Sequence, residues 1–201
     1  MQDKVIWKPS TMLYPLPVVM VTCQAGGKSN IITLAWTGTI CSDPPMLSIS
    51  VRPERHSHGM LRESREFVVN VPSEEQAFAT DYCGVVSGRD TDKFAAAKLT
   101  PAPASVVGAP LIAECPLHLE CKITETRELG SHTMFLAEVV AVQAAKSLLD
   151  RNDRLALEKA GMLVYVHGHY YALGKELGHF GFSVRKKKAK KTRAKKTGLK
   201  R

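Results

Sequence analysis

No apolar run in this 201-residue sequence is longer than a strand; Pro17–Cys23 is typical of the longest. A membrane-spanning helix needs ~20 predominantly apolar residues, so none is expected. The N-terminus has no basic segment leading into an apolar stretch and a small-residue cleavage site, so no secretory signal is read. The expected location is therefore cytoplasmic. There are five cysteines, Cys23, Cys41, Cys83, Cys115 and Cys121, and no Cys-x-x-Cys pair. An odd count without that spacing excludes a disulfide framework and points to reduced, mostly buried thiols. Cys83, in Asp81-Tyr82-Cys83-Gly84, is the one position where a redox role competes with simple burial.

Several nucleotide and metal signatures are also missing. Gly26-Gly27-Lys28-Ser29 resembles the end of a phosphate loop, but the required earlier glycine is Thr22, and the segment leads into a strand. No G-x-G-x-x-G follows a strand, which excludes a dedicated Rossmann site. His167-Gly168-His169 would place two imidazoles on one face of a strand, with no carboxylate or cysteine cluster nearby, so no metal is expected. A serine nucleophile elbow is absent too.

One region combines a dense run of basic residues with no acidic ones. Positions 185–201 hold 11 of the 28 Lys/Arg and no Asp or Glu. The other 17 basic residues face 19 acidic ones, so residues 1–184 carry −2 of a total of +9. The sequence thus divides into a near-neutral domain, 1–184, and a basic tail, 185–201. Self-repulsion keeps such a tail disordered. It reads first as a solubilising extension; weak nucleic-acid binding, without sequence preference and with steep salt dependence, is the alternative.

The domain reads as mainly β. Val18–Cys23 is a continuous β-branched run suited to a buried strand. A Gly26-Gly27 turn returns the chain through Ser29–Cys41 until Asp43-Pro44-Pro45 breaks it. Met46–Val51 and Glu66–Val71 are further strands. Ser57–Ser64 suits a short helix with Ser57 as N-cap, and Ser73-x-x-Gln76 has capping-box spacing ahead of another. Asp92-Lys93-Phe94 opens a short helix, and Pro101–Pro110 is a loop. His118–Arg127 and Thr133–Gln143 form a hairpin around Gly130, and Met162–Val166 is a last strand. Six or seven strands joined by short connections predict an antiparallel, Greek-key-like closed or split barrel.

One segment combines the ingredients of an anion site. Arg52-Pro53-Glu54-Arg55-His56-Ser57-His58 places cations and a hydroxyl at a helix N-terminus just after a strand. A solvated charged loop is the competing explanation.

Taken in order, Val18–Thr22, Ser29-Asn30-Ile31, Ala35-Trp36-Thr37, Ser42-Asp43-Pro44-Pro45, Arg55-His56-Ser57, Phe67–Asn70, Asp92-Lys93-Phe94, Leu119-Glu120-Cys121, His132 and Tyr170–Gly174 resemble the flavin reductase-like family with the FMN-binding split barrel, and within it the flavoredoxins. The resemblance spans about residues 10–186. It implies a homodimer holding FMN non-covalently near the subunit interface. Carried onto this sequence, it implies that Asn30 and Trp36 contact the flavin, with Thr37 and Ser42 nearby. Arg55, His56, Ser57, Lys93 and Phe94 would surround the phosphate end, and His132 and Tyr165 would complete the pocket. His132 is the candidate for a hydrogen bond or proton near the flavin. The family often has Thr at position 57 and Phe at position 165. The implied function is an NAD(P)H-dependent flavin reductase or flavoredoxin-type oxidoreductase that passes electrons to free flavin or a partner protein. An electron-transfer module without nicotinamide activity is the alternative.

Overall fold

A tight hairpin begins the sheet. Gly26 and Gly27 both have positive φ, 53° and 72°, the conformation a two-residue hairpin loop requires. They join β2 (Val19–Ala25) to β3 (Lys28–Leu34), after a two-residue β1 (Leu16–Pro17). The chain continues through β4 (Thr37–Ser42), β5 (Pro45–Val51), α1 (His56–Ser64), β6 (Glu66–Val71), α2 (Ala77–Val85) and α3 (Lys93–Ala96). Next come β7 (Pro101–Ala102), β8 (Leu111–Ile112), β9 (Leu117–Leu129), β10 (His132–Ala144), β11 (Leu163–Val166) and β12 (His169–Ala172). This computed structural model describes residues 3–184. The expected disordered tail at 185–201, and nucleic-acid contact through it, lie outside the described residues. Among those residues no helix is long and apolar enough to cross a membrane.

Seven antiparallel strands pair in the order β3-β2-β6-β9-β10-β5-β4. Alternate residues of six of them meet in one cluster, including Val19, Val21, Ile32, Ile49, Phe67, Ile123 and Phe135. A sheet whose strands share one interior must curl, and register shifts in β9–β10 and β4–β5 mark where it bends. Met60 and Leu61 of α1 plug the interior. The opposite face of β2 and β3 is covered as well: Met20 and Ile31 pack against Ala79, Cys83 and Phe94 of α2 and α3. Burial on both faces is why β2 is a continuous apolar run rather than an alternating one. The mainly β, antiparallel barrel expected from the sequence is the fold found.

Four expectations need correction. Ser29–Cys41 is two strands, because the chain turns a corner at Ala35-Trp36. β3 pairs with β2, whereas β4 pairs with β5 at the other end of the ladder. This one stretch of chain thus carries the barrel across its seam, with Ser50 N–H donating to Trp36 O at 2.9 Å. Second, Arg55 rather than Ser57 is the N-cap of α1. Ser57 lies inside the first turn, where its hydroxyl is engaged by Asn30. Third, the strand count is too low. β12, in the segment read only as glycine- and aromatic-rich, pairs with β11, and β11 with β1, in a separate three-stranded sheet. Fourth, His167 and Gly168 form the β11–β12 turn, with φ of 43° and 94°, so the two histidines do not share a strand face.

The Ser73–Gln76 motif does cap a helix. The Gln76 side-chain oxygen accepts from both the Ser73 N–H, at 2.9 Å, and the Ser73 hydroxyl, at 2.8 Å. All five cysteines are free, and every one but Cys41 is buried. Burial raises the Cys83 thiol to about 11, with Lys93 opposing. A thiol so rarely ionised is a poor nucleophile, which favours packing over a redox role.

Candidate functional site

A groove runs along the outside of the barrel between β3, the start of α1 and the end of α2. Its narrow part, a cavity of about 150 Å³, is lined by Asn30, Arg55, His56, Ser57, Gly88 and Lys93, among others. Each is placed by a local cause. Asn30 is buried on β3 and its Nδ2 donates to Ser57 Oγ at 2.8 Å. That leaves the Ser57 hydroxyl its own proton to donate. Lys93 begins α3, whose N-terminus is fixed by Asp92 accepting from the Phe94 and Ala95 N–H groups. Lys93 is only 5% exposed, and its Nζ donates to Ile31 O and Cys83 O, both at 2.7 Å. One ammonium N–H remains. Among the described residues no carboxylate pairs with it. The first turn of α1 adds backbone N–H groups with no side-chain cap and no acidic residue. Gly88 closes one side, and a Cβ there would collide with the Asn30 amide.

The groove widens into a second chamber of about 380 Å³. Ile32, Arg55 and Gly84 line both parts, so the two are continuous. Gly84 belongs there because α2 lies close to β3: a Cβ would sit 3.2 Å from Thr33 Cβ. Val18 and Leu34 are among its apolar lining residues. One wall is Trp36, at the barrel corner and 40% exposed, with its ring centroid 4.3 Å from that of His132. The other wall comes from the small sheet, with Tyr165 on β11 and Tyr170 on β12. Tyr170 Oη donates to Asp81 Oδ1 at 3.0 Å, tying that sheet to α2.

The structure therefore brings together Asn30, Arg55, His56, Ser57 and Lys93 at the narrow end, and Trp36, His132 and Tyr165 at the wide end. It does not bring Thr37, Ser42 or Phe94 into these two chambers. The Thr37 hydroxyl is used within the sheet, donating to Ser48 O at 2.8 Å. Ser42 is exposed beside the β4–β5 turn. Phe94 is buried in the helix-covered face of the sheet. Nothing in the sequence signals that Gly84, Gly88 or Asp81 lines this groove; Arg52 stands out only as part of the Arg52–His58 segment, and Tyr170 only within the stretch that carries the resemblance.

A family model described as "Flavin reductase like domain" matches residues 11–174. The chain belongs to this family. Among solved structures, this flavin reductase-like chain is similar to flavoredoxin of Desulfovibrio vulgaris (Miyazaki F), at 30% identity and a TM-score of 0.85, covering 91% of this chain and 100% of that one. An FMN-binding protein from Thermus thermophilus is similar at 27% identity and a TM-score of 0.75, covering 89% and 99%. A curated relative from Rhodococcus opacus, the reductase component of a 4-nitrophenol 4-monooxygenase/4-nitrocatechol 2-monooxygenase, is 30% identical over 132 residues, 63% of this chain and 65% of that one. Membership of the family carries a flavin-linked redox role.

The electrostatics of this flavin reductase-like groove are set by Arg55, His56 and Lys93 beside Glu54 at the narrow end, with an apolar annex at the wide end. Burial pushes the Lys93 ammonium below its usual pKa; the Cys83 thiol opposes this and Arg55 adds to it. Burial also lowers the pKa of His132, with Arg52 reinforcing and Glu54 opposing, which favours the neutral imidazole. Ser131 Oγ lies 2.9 Å from His132 Nδ1 and steadies the ring. Tyr170 is pushed up to about 12 by burial and then by Asp81, so it keeps the proton it donates. Among the described residues, no three His, Cys, Asp or Glu side chains gather as a metal site would require.

Proposed function

We propose that the groove binds FMN non-covalently and that the protein is an NAD(P)H-dependent oxidoreductase passing electrons through it. The observation that carries this reading is Lys93, a buried ammonium with carbonyl partners and no carboxylate. Burying a cation without a counter-ion is costly, and a phosphate in the narrow chamber removes that cost. The donor set there suits a phosphate: the third Lys93 N–H, the Ser57 hydroxyl, Arg55, His56 and the first-turn amides of α1. The wide chamber suits a flat heterocycle, because Trp36, Tyr165 and Tyr170 offer aromatic surface while Val18 and Leu34 exclude water.

FMN, when bound, supplies the redox chemistry by accepting a hydride and releasing electrons. The protein's residues do the rest. Lys93, Ser57 and Arg55 fix the phosphate, and Asn30 orients Ser57. The Trp36–His132 pair borders the wide chamber, where a reductant would meet the flavin. Hydride transfer itself needs no charged acid or base. A homodimer is part of the proposal. The segments flanking the barrel expose Ile6, Trp7, Leu13, Leu177 and Phe180, apolar surface that a second copy would cover. The electron acceptor is free flavin or a partner protein, and the cytoplasm is its proposed location.

The test is reconstitution followed by anaerobic reduction. Purified protein incubated with FMN should retain a flavin absorption spectrum through gel filtration, and NADH or NADPH should bleach it. Protein that takes up no FMN refutes the site. Protein that takes up FMN but is reduced only by another redox protein refutes the nicotinamide step and leaves an electron-transfer module.

A further inference from the structure

Inside the barrel, a polar pair interrupts the apolar core. His58 of α1 is 8% exposed and Thr133 of β10 is fully buried. His58 Nε2 and Thr133 Oγ1 are hydrogen-bonded at 2.9 Å. The His58 ring meets Phe135 edge-on, with centroids 5.6 Å apart. Thr133 sits opposite Val51 of β5, and Phe135 and Val51 both belong to the central cluster. Two apolar side chains of similar shape would fill this space without any polar group to satisfy. A buried hydrogen bond does something that apolar packing does not: it fixes one relative placement of the two elements it joins.

Each partner is next in sequence to a residue of the groove outside. Ser57 precedes His58 and lines the narrow chamber, where Asn30 Nδ2 donates to its hydroxyl. His132 precedes Thr133 and lines the wide chamber, against Trp36. The alternation of a strand sends Phe135 and Ala137 inward with Thr133 and leaves His132 on the outer face. On α1, His58 and Leu61 are one turn apart and both buried. From this juxtaposition we infer that His58 is a positioning residue: through Thr133 it holds the first turn of α1 against the start of β10, and so sets the spacing between the phosphate end and the ring end of the groove. The inference rests on the flavin reading given above. The only short covalent link between β5 and α1 is residues 52–55, all exposed; the buried pair supplies the anchorage this loop lacks. A ligand that engages both ends of the groove gains from a fixed spacing, whereas one that engages the ring end alone does not.

The experiment is a fluorescence titration of the full-length apoprotein with FMN and with riboflavin, which lacks the phosphate. Thr133→Val removes the hydroxyl at nearly constant volume, and His58→Phe removes the ring nitrogens. Each should lower the FMN-to-riboflavin affinity ratio about two- to tenfold, the scale of one neutral hydrogen bond, while riboflavin affinity holds. The double variant leaves neither partner unpaired, so it keeps the test open where a single variant is unstable. It should lower the ratio no further than either single one. Thr133→Ser keeps the hydroxyl and should keep the wild-type ratio. An unchanged ratio in the double variant, whatever its Tm, overturns the inference, because the pair then serves only barrel stability. Equal weakening of both flavins overturns it too, as does a ratio that falls as far in Thr133→Ser as in Thr133→Val. Wild-type protein that binds neither flavin, or both equally, removes the underlying reading instead.

Discussion

Replacing Lys93 with Met tests the phosphate site most directly. The substitution keeps an unbranched apolar stem in a position that is only 5% exposed and deletes the ammonium. What is lost toward the ligand is one charge-assisted hydrogen bond, worth ~1.5–3 kcal/mol. At 1.4 kcal/mol per tenfold, FMN should bind roughly 10- to 150-fold more weakly. Riboflavin has the same ring and ribityl chain without the phosphate, so its affinity should not change. Fluorescence titration of both flavins separates the phosphate contact from general damage. Equal weakening of FMN and riboflavin, or unchanged FMN affinity, refutes the argument. The pH dependence gives a second readout. Because burial lowers the Lys93 pKa below its ordinary 10.5 and a bound phosphate raises it again, FMN binding takes up a proton in the alkaline range. Affinity is therefore full below the lowered pKa and falls as pH rises through it. Lys93→Met should abolish that alkaline fall.

Other substitutions test the rest of the architecture. Glu120 is fully buried and accepts from Ser105, Val106, Val107 and Gln143. Burial alone would raise its pKa, but the Ser105 and Gln143 side chains and the Ser105 and Val106 N–H groups hold it at about 2. Its contribution is complete above about pH 4.5 and should be lost as pH falls toward 2. Glu120→Gln should cost roughly 1.5–3 kcal/mol in chemical denaturation at pH 7 and flatten that acid limb. Gly88→Ala should displace the Asn30 amide and, at about 1–3 kcal/mol of overpacking, weaken FMN binding, as read by equilibrium dialysis. Tyr170→Phe removes the link to Asp81. It should speed flavin dissociation in stopped-flow roughly two- to tenfold, the equivalent of ~0.5–1.5 kcal/mol, with little change in Tm.

Much of the barrel is legible because its signals are local. Glu66–Val71 is bounded by Pro72 and matches β6 residue for residue, and Gly130 marks the β9–β10 turn. The lining of the narrow chamber is legible in part for the same reason, since Arg55, His56 and Ser57 are neighbours in the chain. What could not be read depends on distant partners. The corner at Ala35-Trp36 has neither Gly nor Pro; the backbone stays extended on both sides while the pairing strand changes. Ser57 has the chemistry of an N-cap, yet Asn30, 27 residues away, takes its hydroxyl. Tyr170 meets Asp81 across 89 residues, and Gly88 is required only by the Asn30 amide packed against it. Phe94 lies outside the two chambers because residues next to each other on a short helix face different neighbours: Lys93 points to the narrow chamber, whereas Phe94 packs into the covered face and borders only a neighbouring cavity.

Ile31 belongs to the strand at one end of the seven-stranded ladder, where backbone groups are a template for stray chains. The Lys93 ammonium occupies its carbonyl and rivets it to Cys83 O on α2. The side chain proposed to hold the phosphate is thus also a guard against misassembly. Lys93 variants such as Lys93→Met free that carbonyl on an edge strand, and they should self-associate more readily as protein concentration rises. For this protein, cofactor affinity and colloidal behaviour are tied to a single nitrogen atom.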